Sequence, residues 1–154
     1  SKLNFGYHDD SFAWATVDTG KKEDGWFFVP KLREAGVMDK WKTVPIGGEI
    51  RPEIWPTTFT DRRTGQQQDF LECVKHTHAS WLMDSGLFSD RFPLDDARKE
   101  RALEEVAKLG YELHVSEASV MGGELVIRVE NRGVAPFYYD WPVVVRAGDC
   151  RRRS

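Results

Sequence analysis

The residues best placed to do chemistry are a carboxylate and the two glycines that precede it. Residues 43–46 have the length and the β-branched content of a short buried strand, and Gly47-Gly48 follows directly. Glycine lets a ligand approach the main chain, so Glu49 is predicted to be presented at a strand exit, where α/β enzymes keep their catalytic groups. The alternative is that Gly47-Gly48 is only a turn and that Glu49 is a solvated or salt-bridged side chain.

A second strand exit of the same design lies about forty residues earlier. Residues 3–7 are predicted to form a short buried strand, and the polar residues His8, Asp9 and Asp10 follow it. Two such exits with a helix between them are what a βαβ unit supplies, so these side chains are candidates for ligand binding or proton donation. The alternative is that Asp9-Asp10-Ser11 caps a turn.

Two histidines and six tryptophans are the other candidates. Residues 75–82 alternate between polar and apolar, which predicts a strand with His76 and His78 on one side. That spacing suits a shared metal, but spacing fixes no third ligand, so structural or substrate-binding histidines are favoured and no metal or cofactor is predicted. Trp55 and Trp81 are candidates for stacking on sugar rings, and an ordinary core role is the alternative.

The elements that would hold these residues combine helices and strands. The spacing of apolar residues predicts a helix over residues 26–42, with an interruption at Gly36, and a second helix over residues 66–74. The clearest helix begins at Asp95 or Asp96 and closes at Gly110. From residue 111 the period becomes two, which predicts an antiparallel three-strand meander with one buried face.

Composition excludes several classes of partner. The chain has 154 residues, with 22 basic and 25 acidic side chains, and no dense basic face indicates nucleic acid. No apolar run approaches the length that spans a bilayer, so a soluble chain with no membrane partner is predicted. Cys73 and Cys150 are interpreted as two free thiols.

Several blocks of the sequence together resemble a known family. They are the segment from Phe5 to Phe12, the turn Pro45-Ile46-Gly47-Gly48-Glu49, the segment His78-Ala79-Ser80-Trp81-Leu82, and the ending from Leu109 to Tyr138. In their order along nearly the whole chain they are similar to the bacterial domain-of-unknown-function family 4832, whose members resemble glycoside hydrolases.

The resemblance implies an α/β fold in two parts. Residues 1–90 would be a partial (β/α)-barrel-like segment, and residues 91–154 a helix followed by a C-terminal antiparallel β meander. A whole barrel needs roughly 200 residues or more, so the resemblance implies a missing N-terminal barrel portion or self-association through unpaired strand edges. No turnover is expected from this chain alone.

For function, the resemblance implies a carbohydrate ligand, with Glu49 as the nucleophile-type carboxylate. Asp9 or Asp10 would act as the acid or bind a sugar hydroxyl, with His8 and His78 as further polar contacts. Trp55 and Trp81 would stack on the sugar. Two alternatives remain open: a carbohydrate-binding or interaction module without chemistry, and a metal-dependent hydrolase built on His8, Asp9, His76 and His78.

Overall fold

The computed structural model describes residues 5–84 and 86–145 and shows a mixed α/β fold. In chain order its elements are β1 (Tyr7–Phe12), α1 (Phe28–Glu34), β2 (Ile46–Ile50), α2 (Phe70–Thr77), β3 (Trp81–Met83), α3 (Asp96–Val106), β4 (Leu113–Met121) and β5 (Glu124–Asn131). Short 3-10 turns occupy Lys22–Trp26, Lys40–Lys42 and Pro52–Ile54.

The first three strands form a parallel sheet in the order β1-β2-β3. Parallel neighbours need a crossover connection, and α1 and α2 lie in the two connections. In register, His8 stands opposite Gly47, which stands opposite Trp81. The predicted α/β class and βαβ arrangement are therefore present, with three parallel strands in the described part of the chain.

Both strands that carry candidate residues lie later in the chain than predicted. Asp9 and Asp10 are inside β1, and Gly47-Gly48-Glu49 is inside β2, so the interpretation of both sites as strand exits is wrong. The two glycines are required by close contacts between neighbouring strands. A Cβ on Gly47 would lie 2.2 Å from the indole of Trp81, and one on Gly48 would lie 2.3 Å from the Asp9 carbonyl oxygen.

One face of the parallel sheet is covered by helices. Phe12 and Ile50 from the strands share a buried cluster with Phe70 and Val74 of α2 and Ala102 of α3. The N-terminus of α2 is capped by Asp69, whose side chain accepts a hydrogen bond from the Glu72 N–H at 2.8 Å. This covered face holds the core.

The helix predictions are right in kind and wrong in extent. The helix predicted over residues 26–42 is reduced to α1, and Gly36 follows it with a φ of +67°. The prediction of a strand over residues 75–82 is wrong for its first half, because α2 continues to Thr77. The cap of α3 at Asp95 is confirmed, but the helix ends at Val106 instead of closing at Gly110, and its residue Leu103 is 66% exposed.

Arg98 joins α3 to the loop that follows β2. Its side chain is 6% exposed and donates hydrogen bonds to the carbonyl oxygens of Thr58 at 2.9 Å, Phe92 at 3.3 Å and Trp55 at 2.5 Å. Three carbonyl acceptors satisfy the guanidinium without an acid in direct contact. Arg98 thus fixes α3 against the loop that follows β2.

The C-terminal part contains a two-stranded antiparallel hairpin, β4 and β5, instead of the predicted three-strand meander. Residues 132–145 form no strand, and from residue 139 onward they are exposed. Pro142 removes one backbone donor from this segment, which disfavours ladder pairing. The expectation of a buried face is also wrong, as the apolar residues of the hairpin are exposed.

Residues 133–138 attach the hairpin to the amino-terminal edge of the parallel sheet. The His78 Nδ1 lies 2.7 Å from the Val134 carbonyl oxygen, and the Tyr138 hydroxyl donates to the Trp41 carbonyl oxygen at 2.7 Å. Gly110 donates its N–H to the Ala79 carbonyl oxygen at 2.8 Å. Backbone and side-chain hydrogen bonds therefore hold this connection.

Candidate functional site

The sheet has an open face opposite its helices, and alternating residues of the three strands line it. Side chains alternate along a strand and agree in direction across a parallel register, so His8, Gly47 and Trp81 share one row of this face. The next row contains Asp10, Glu49 and Met83. His8, Asp10, Trp81 and Met83 are exposed. We refer to these six residues as the open face.

Trp81 lies across β2 because Gly47 has no side chain. The indole occupies the space above that glycine, and its ring centroid is 5.6 Å from that of His8 with an interplanar angle of 35°. Trp81 remains 43% exposed. The row therefore forms a partly exposed aromatic surface three strands wide.

Two carboxylates stand beside this surface on neighbouring strands. Asp9 is paired with Gly48 and Phe12 with Ile50, so β1 has one more residue than β2 between these pairs. Asp10 and Ser11 consequently stand opposite the single residue Glu49, which is the arrangement of a β-bulge. Adjacent strands are about 4.8 Å apart, so Asp10 and Glu49 are neighbours.

Asp9 points to the covered face and takes part in an internal network. Its Oδ1 accepts the Ser11 N–H at 3.0 Å, and its Oδ2 accepts the Thr16 hydroxyl at 2.7 Å. Thr16 Oγ1 in turn accepts the Ala13 N–H at 2.9 Å. Burial raises the pKa of Asp9 to about 6, although the hydrogen bond from Thr16 opposes that rise. Asp9 therefore belongs to the core side of β1.

A small cavity opens beside Asp10 at the free edge of β1. It has a volume of about 150 Å³, and its lining includes Asp10, Ser11, Trp26 and Lys31. The Ser11 hydroxyl donates to Asp10 at 3.4 Å and accepts from the Arg51 guanidinium at the same distance. Polar groups of both signs thus surround the carboxyl end of β1.

His78 and His76 lie away from the carboxylates. His78 ends α2 in the left-handed conformation, with a φ of 50°, and stacks on Trp41 with centroids 3.6 Å apart. It precedes β3 and so sits at the amino end of the strands, whereas Asp10 and Glu49 sit toward the carboxyl end. His76 is on the exposed side of α2, 4.0 Å from Glu72.

Trp55 packs into the structure outside the open face. Its indole N–H donates to the Ile50 carbonyl oxygen at 3.0 Å, and its ring meets Phe92 edge-on at 6.1 Å. A Cβ on Gly86 would lie 2.7 Å from this ring. The structure therefore groups His8, Asp10, Glu49 and Trp81, and leaves Asp9, His78 and Trp55 apart from them.

The sequence analysis does not identify two residues of the open face. One is Gly47, whose missing side chain leaves space for the Trp81 indole, and the other is Met83. His8 and Asp10, and likewise Gly47 and Glu49, are two residues apart, which is the spacing of residues on one face of a strand. The predicted strands lie too early in the chain for this alternation to be assigned to them. The hydrogen bonds from Thr16 and Val17 to Gln68, at 2.8 and 3.0 Å, had no sequence signal.

Residues 5–84 and 86–145 contain no group of three or more histidine, cysteine or acidic side chains arranged to hold a metal. Over the same residues, no helix is long and apolar enough to cross a membrane. No protein-family model, curated protein or solved structure matches this chain. The geometry of the open face is therefore the observation that bears on function.

Proposed function

We propose that this chain belongs to a carbohydrate-active, glycoside-hydrolase-like protein and that its open face binds a glycan. The observation that carries the proposal is the register that aligns the exposed Trp81 and His8 on one row with Asp10 and Glu49 on the next. Aromatic rings offer apolar surface for the C–H face of a sugar, and carboxylates accept hydrogen bonds from its hydroxyl groups.

In this proposal Glu49 is the nucleophile-type carboxylate and Asp10 is its partner. A retaining glycosidase needs two carboxyl groups about 5 Å apart, and neighbouring parallel strands supply a spacing of that size. Asp10 takes this role in place of Asp9, because both oxygens of Asp9 accept hydrogen bonds on the covered face. Glu49 would attack the anomeric carbon, and Asp10 would protonate the leaving oxygen.

The sheet is also proposed to correspond to three consecutive strands of a (β/α) barrel. Sequential parallel strands with helices on one face have that layout, and the open face would be the side turned toward the barrel axis. Active sites of such barrels lie at the carboxyl ends of the strands. Asp10 and Glu49 lie inside β1 and β2, in the half of each strand nearer that end.

The second candidate function is a carbohydrate-binding module without chemistry. It is favoured by the position of Asp9. Burial raises the pKa of this carboxyl group toward that of a general acid, yet both of its oxygens accept hydrogen bonds on the covered face, away from Glu49. Under this reading Trp81, His8 and the carboxylates hold a sugar, and no bond is broken.

Labelling by dinitrophenyl 2-deoxy-2-fluoroglycosides separates the two functions. In the labelling step, a Glu49 oxygen forms a bond to the anomeric carbon while dinitrophenolate departs with the electron pair of the broken C–O bond. This leaving group needs no acid, so the test examines Glu49 independently of Asp10. We expect the mass of one glycosyl group on the Glu49 peptide, after screening sugars of gluco, galacto and manno configuration.

Matched variants complete the test. Glu49→Gln should abolish labelling and keep glycan binding measured by calorimetry, while Glu53→Gln, an exposed acid paired with Arg51, should retain both. Trp81→Ala should weaken binding about tenfold, whereas Trp141→Ala, which changes an exposed tryptophan away from the open face, should not. Binding without labelling supports the module, and the absence of both contradicts the proposal.

A further inference from the structure

The hairpin presents an apolar face that no described residue covers. Its cross-strand register places six aliphatic residues on one side, and we call this side the apolar hairpin face: Leu113, Val115, Val120, Leu125, Ile127 and Val129. All but the half-buried Ile127 are between 48 and 73% exposed. A two-stranded sheet has little stability in water unless such a face is packed against something.

The opposite side of the hairpin differs in chemistry. It carries His114, Glu117, Ser119 and Arg128, and Glu117 lies 3.8 Å from Arg128 in an ion pair. Val126 and Met121 are the exposed apolar residues on this side, and Asn131 is the polar residue on the other. Most of the exposed aliphatic side chains are thus concentrated on the apolar hairpin face, whereas the charged side chains lie opposite. One side of the hairpin is suited to water and the other to a protein surface.

An aromatic cluster extends from the base of the hairpin. Tyr111, two residues before Leu113, meets Phe137 edge-on at 4.8 Å. Phe137 contacts Trp141 at 5.3 Å, and Tyr139 stacks on Trp141 at 5.2 Å. Tyr139 and Trp141 are both more than half exposed. These rings add apolar area next to the apolar hairpin face.

The exposed apolar area matches the requirement of a homodimer. At roughly 100 Å² for an exposed aliphatic side chain and 200 Å² for an aromatic one, the apolar hairpin face and the pair Tyr139 and Trp141 expose on the order of 500 Å². A standard interface buries about 800 Å² per partner, and in homodimers about 65% of it is apolar. That apolar share is also about 500 Å².

We infer that the apolar hairpin face is a homodimer interface whose occupant is the same face of a second copy. In an isologous pair each copy offers the same aliphatic residues, and the register puts no charged side chain on the face to repel its own image. The net charge of −3 adds only weak repulsion between copies. Two hairpins packed face to face form a four-stranded sandwich with a dry core.

Size-exclusion chromatography with light scattering, over protein concentrations from about 1 to 100 μM, tests the inference. We expect the wild-type chain to have twice the mass of one copy. Val115→Glu should raise the dimer dissociation constant at least a hundredfold, because each dimer would bury the unpaired carboxylate twice. Val126→Glu is the matched control, since Val126 is 42% exposed on the opposite side of the same hairpin.

Each outcome decides the inference. A dimer that Val115→Glu dissociates and Val126→Glu leaves intact supports it, provided that circular dichroism shows the same secondary structure in both variants. A wild-type monomer at 100 μM overturns it, as does a dimer that survives Val115→Glu or responds equally to both variants. If Val115→Glu fails to fold, Val120→Ser at the hairpin tip replaces it, with the same two readings.

Discussion

Replacing Asp9 by asparagine should change how the stability of the protein depends on pH. Asp9 is 3% exposed, and burial raises its pKa from 3.8 to about 6. Between these values the unfolded chain releases the Asp9 proton while the folded protein retains it, so the free energy of unfolding falls as pH rises. A difference of two pKa units corresponds to about 3 kcal/mol in the free energy of unfolding. This contribution is fully present below pH 3.8 and is lost as the pH rises through 6.

Urea unfolding followed by tryptophan fluorescence at pH 4, 5, 6 and 7 measures the effect. The free energy of unfolding of Asp9→Asn relative to wild type should increase by about 2 kcal/mol between pH 4 and pH 7, since the unfolded carboxyl group is already half ionised at pH 4. Taking the difference removes other titrating groups, including Glu105, whose pKa is raised by burial, and Glu34, whose pKa is lowered by Lys31.

A second variant tests the cause of the shift. The hydrogen bond from Thr16 lowers the pKa of Asp9, so Thr16→Val should raise this pKa further and move the fall in stability to higher pH. Equal pH slopes for wild type and Asp9→Asn would refute the reasoning, because they would mean that Asp9 ionises as freely in the folded protein as in the unfolded chain.

Three further predictions concern single positions. Arg98→Ala should lower the free energy of unfolding by at least ~2 kcal/mol in urea titrations, because one buried and two partly buried carbonyl oxygens lose their donor; an effect below 1 kcal/mol contradicts this. Gly48→Ala should lower the melting temperature measured by calorimetry more than Gly47→Ala does. The new methyl group of Gly48→Ala meets the backbone of Asp9, whereas that of Gly47→Ala meets the Trp81 ring, which can rotate away. Equal losses would contradict this. In a Cys150→Ser background, Cys73 should react with a thiol reagent only after urea unfolds the chain, because its thiol is buried and burial raises its pKa. Rapid labelling of the folded protein would contradict this, because it would show that the core around Cys73 opens.

The sequence predicted the helices better than the strands, for identifiable reasons. Asp95 as the cap of α3 is a local signal, and the structure confirms it with a hydrogen bond from the Arg98 N–H at 2.8 Å. The predicted position of β1 is too early because the polar residues His8, Asp9 and Asp10 are not typical of a buried strand. Asp9 is tolerated there only through its bonds to Ser11 and Thr16, which are invisible before folding.

Residue type suggests which side chains are candidates for a site, but it does not predict their arrangement. Trp81, His8, Asp10 and Glu49 were selected from their types, but only the parallel register reveals that they share one face. Trp55 was chosen by the same criterion, and its indole N–H turned out to bind the Ile50 carbonyl oxygen. Residue type predicts what a side chain is able to do, whereas its neighbours depend on tertiary packing that local patterns do not encode.

The third strand of the meander failed for a different reason. Residues 137–145 alternate as a strand should, and yet alternation describes only how a segment would bury one side if a partner were present. In the described residues that side is exposed, as is the apolar hairpin face. An alternation of period two therefore indicates which side of a segment is apolar. It does not indicate whether the segment pairs with a neighbouring strand.

Glycan binding at the open face is the central claim about function. A titration with an oligosaccharide, followed by amide and indole chemical shifts in nuclear magnetic resonance, tests it directly. We predict that the largest shifts fall on the amides of His8, Gly47 and Glu49 and on the indole N–H of Trp81. Shifts confined to other surfaces, such as Tyr139 and Trp141, or no shifts with any sugar tested, would contradict the claim.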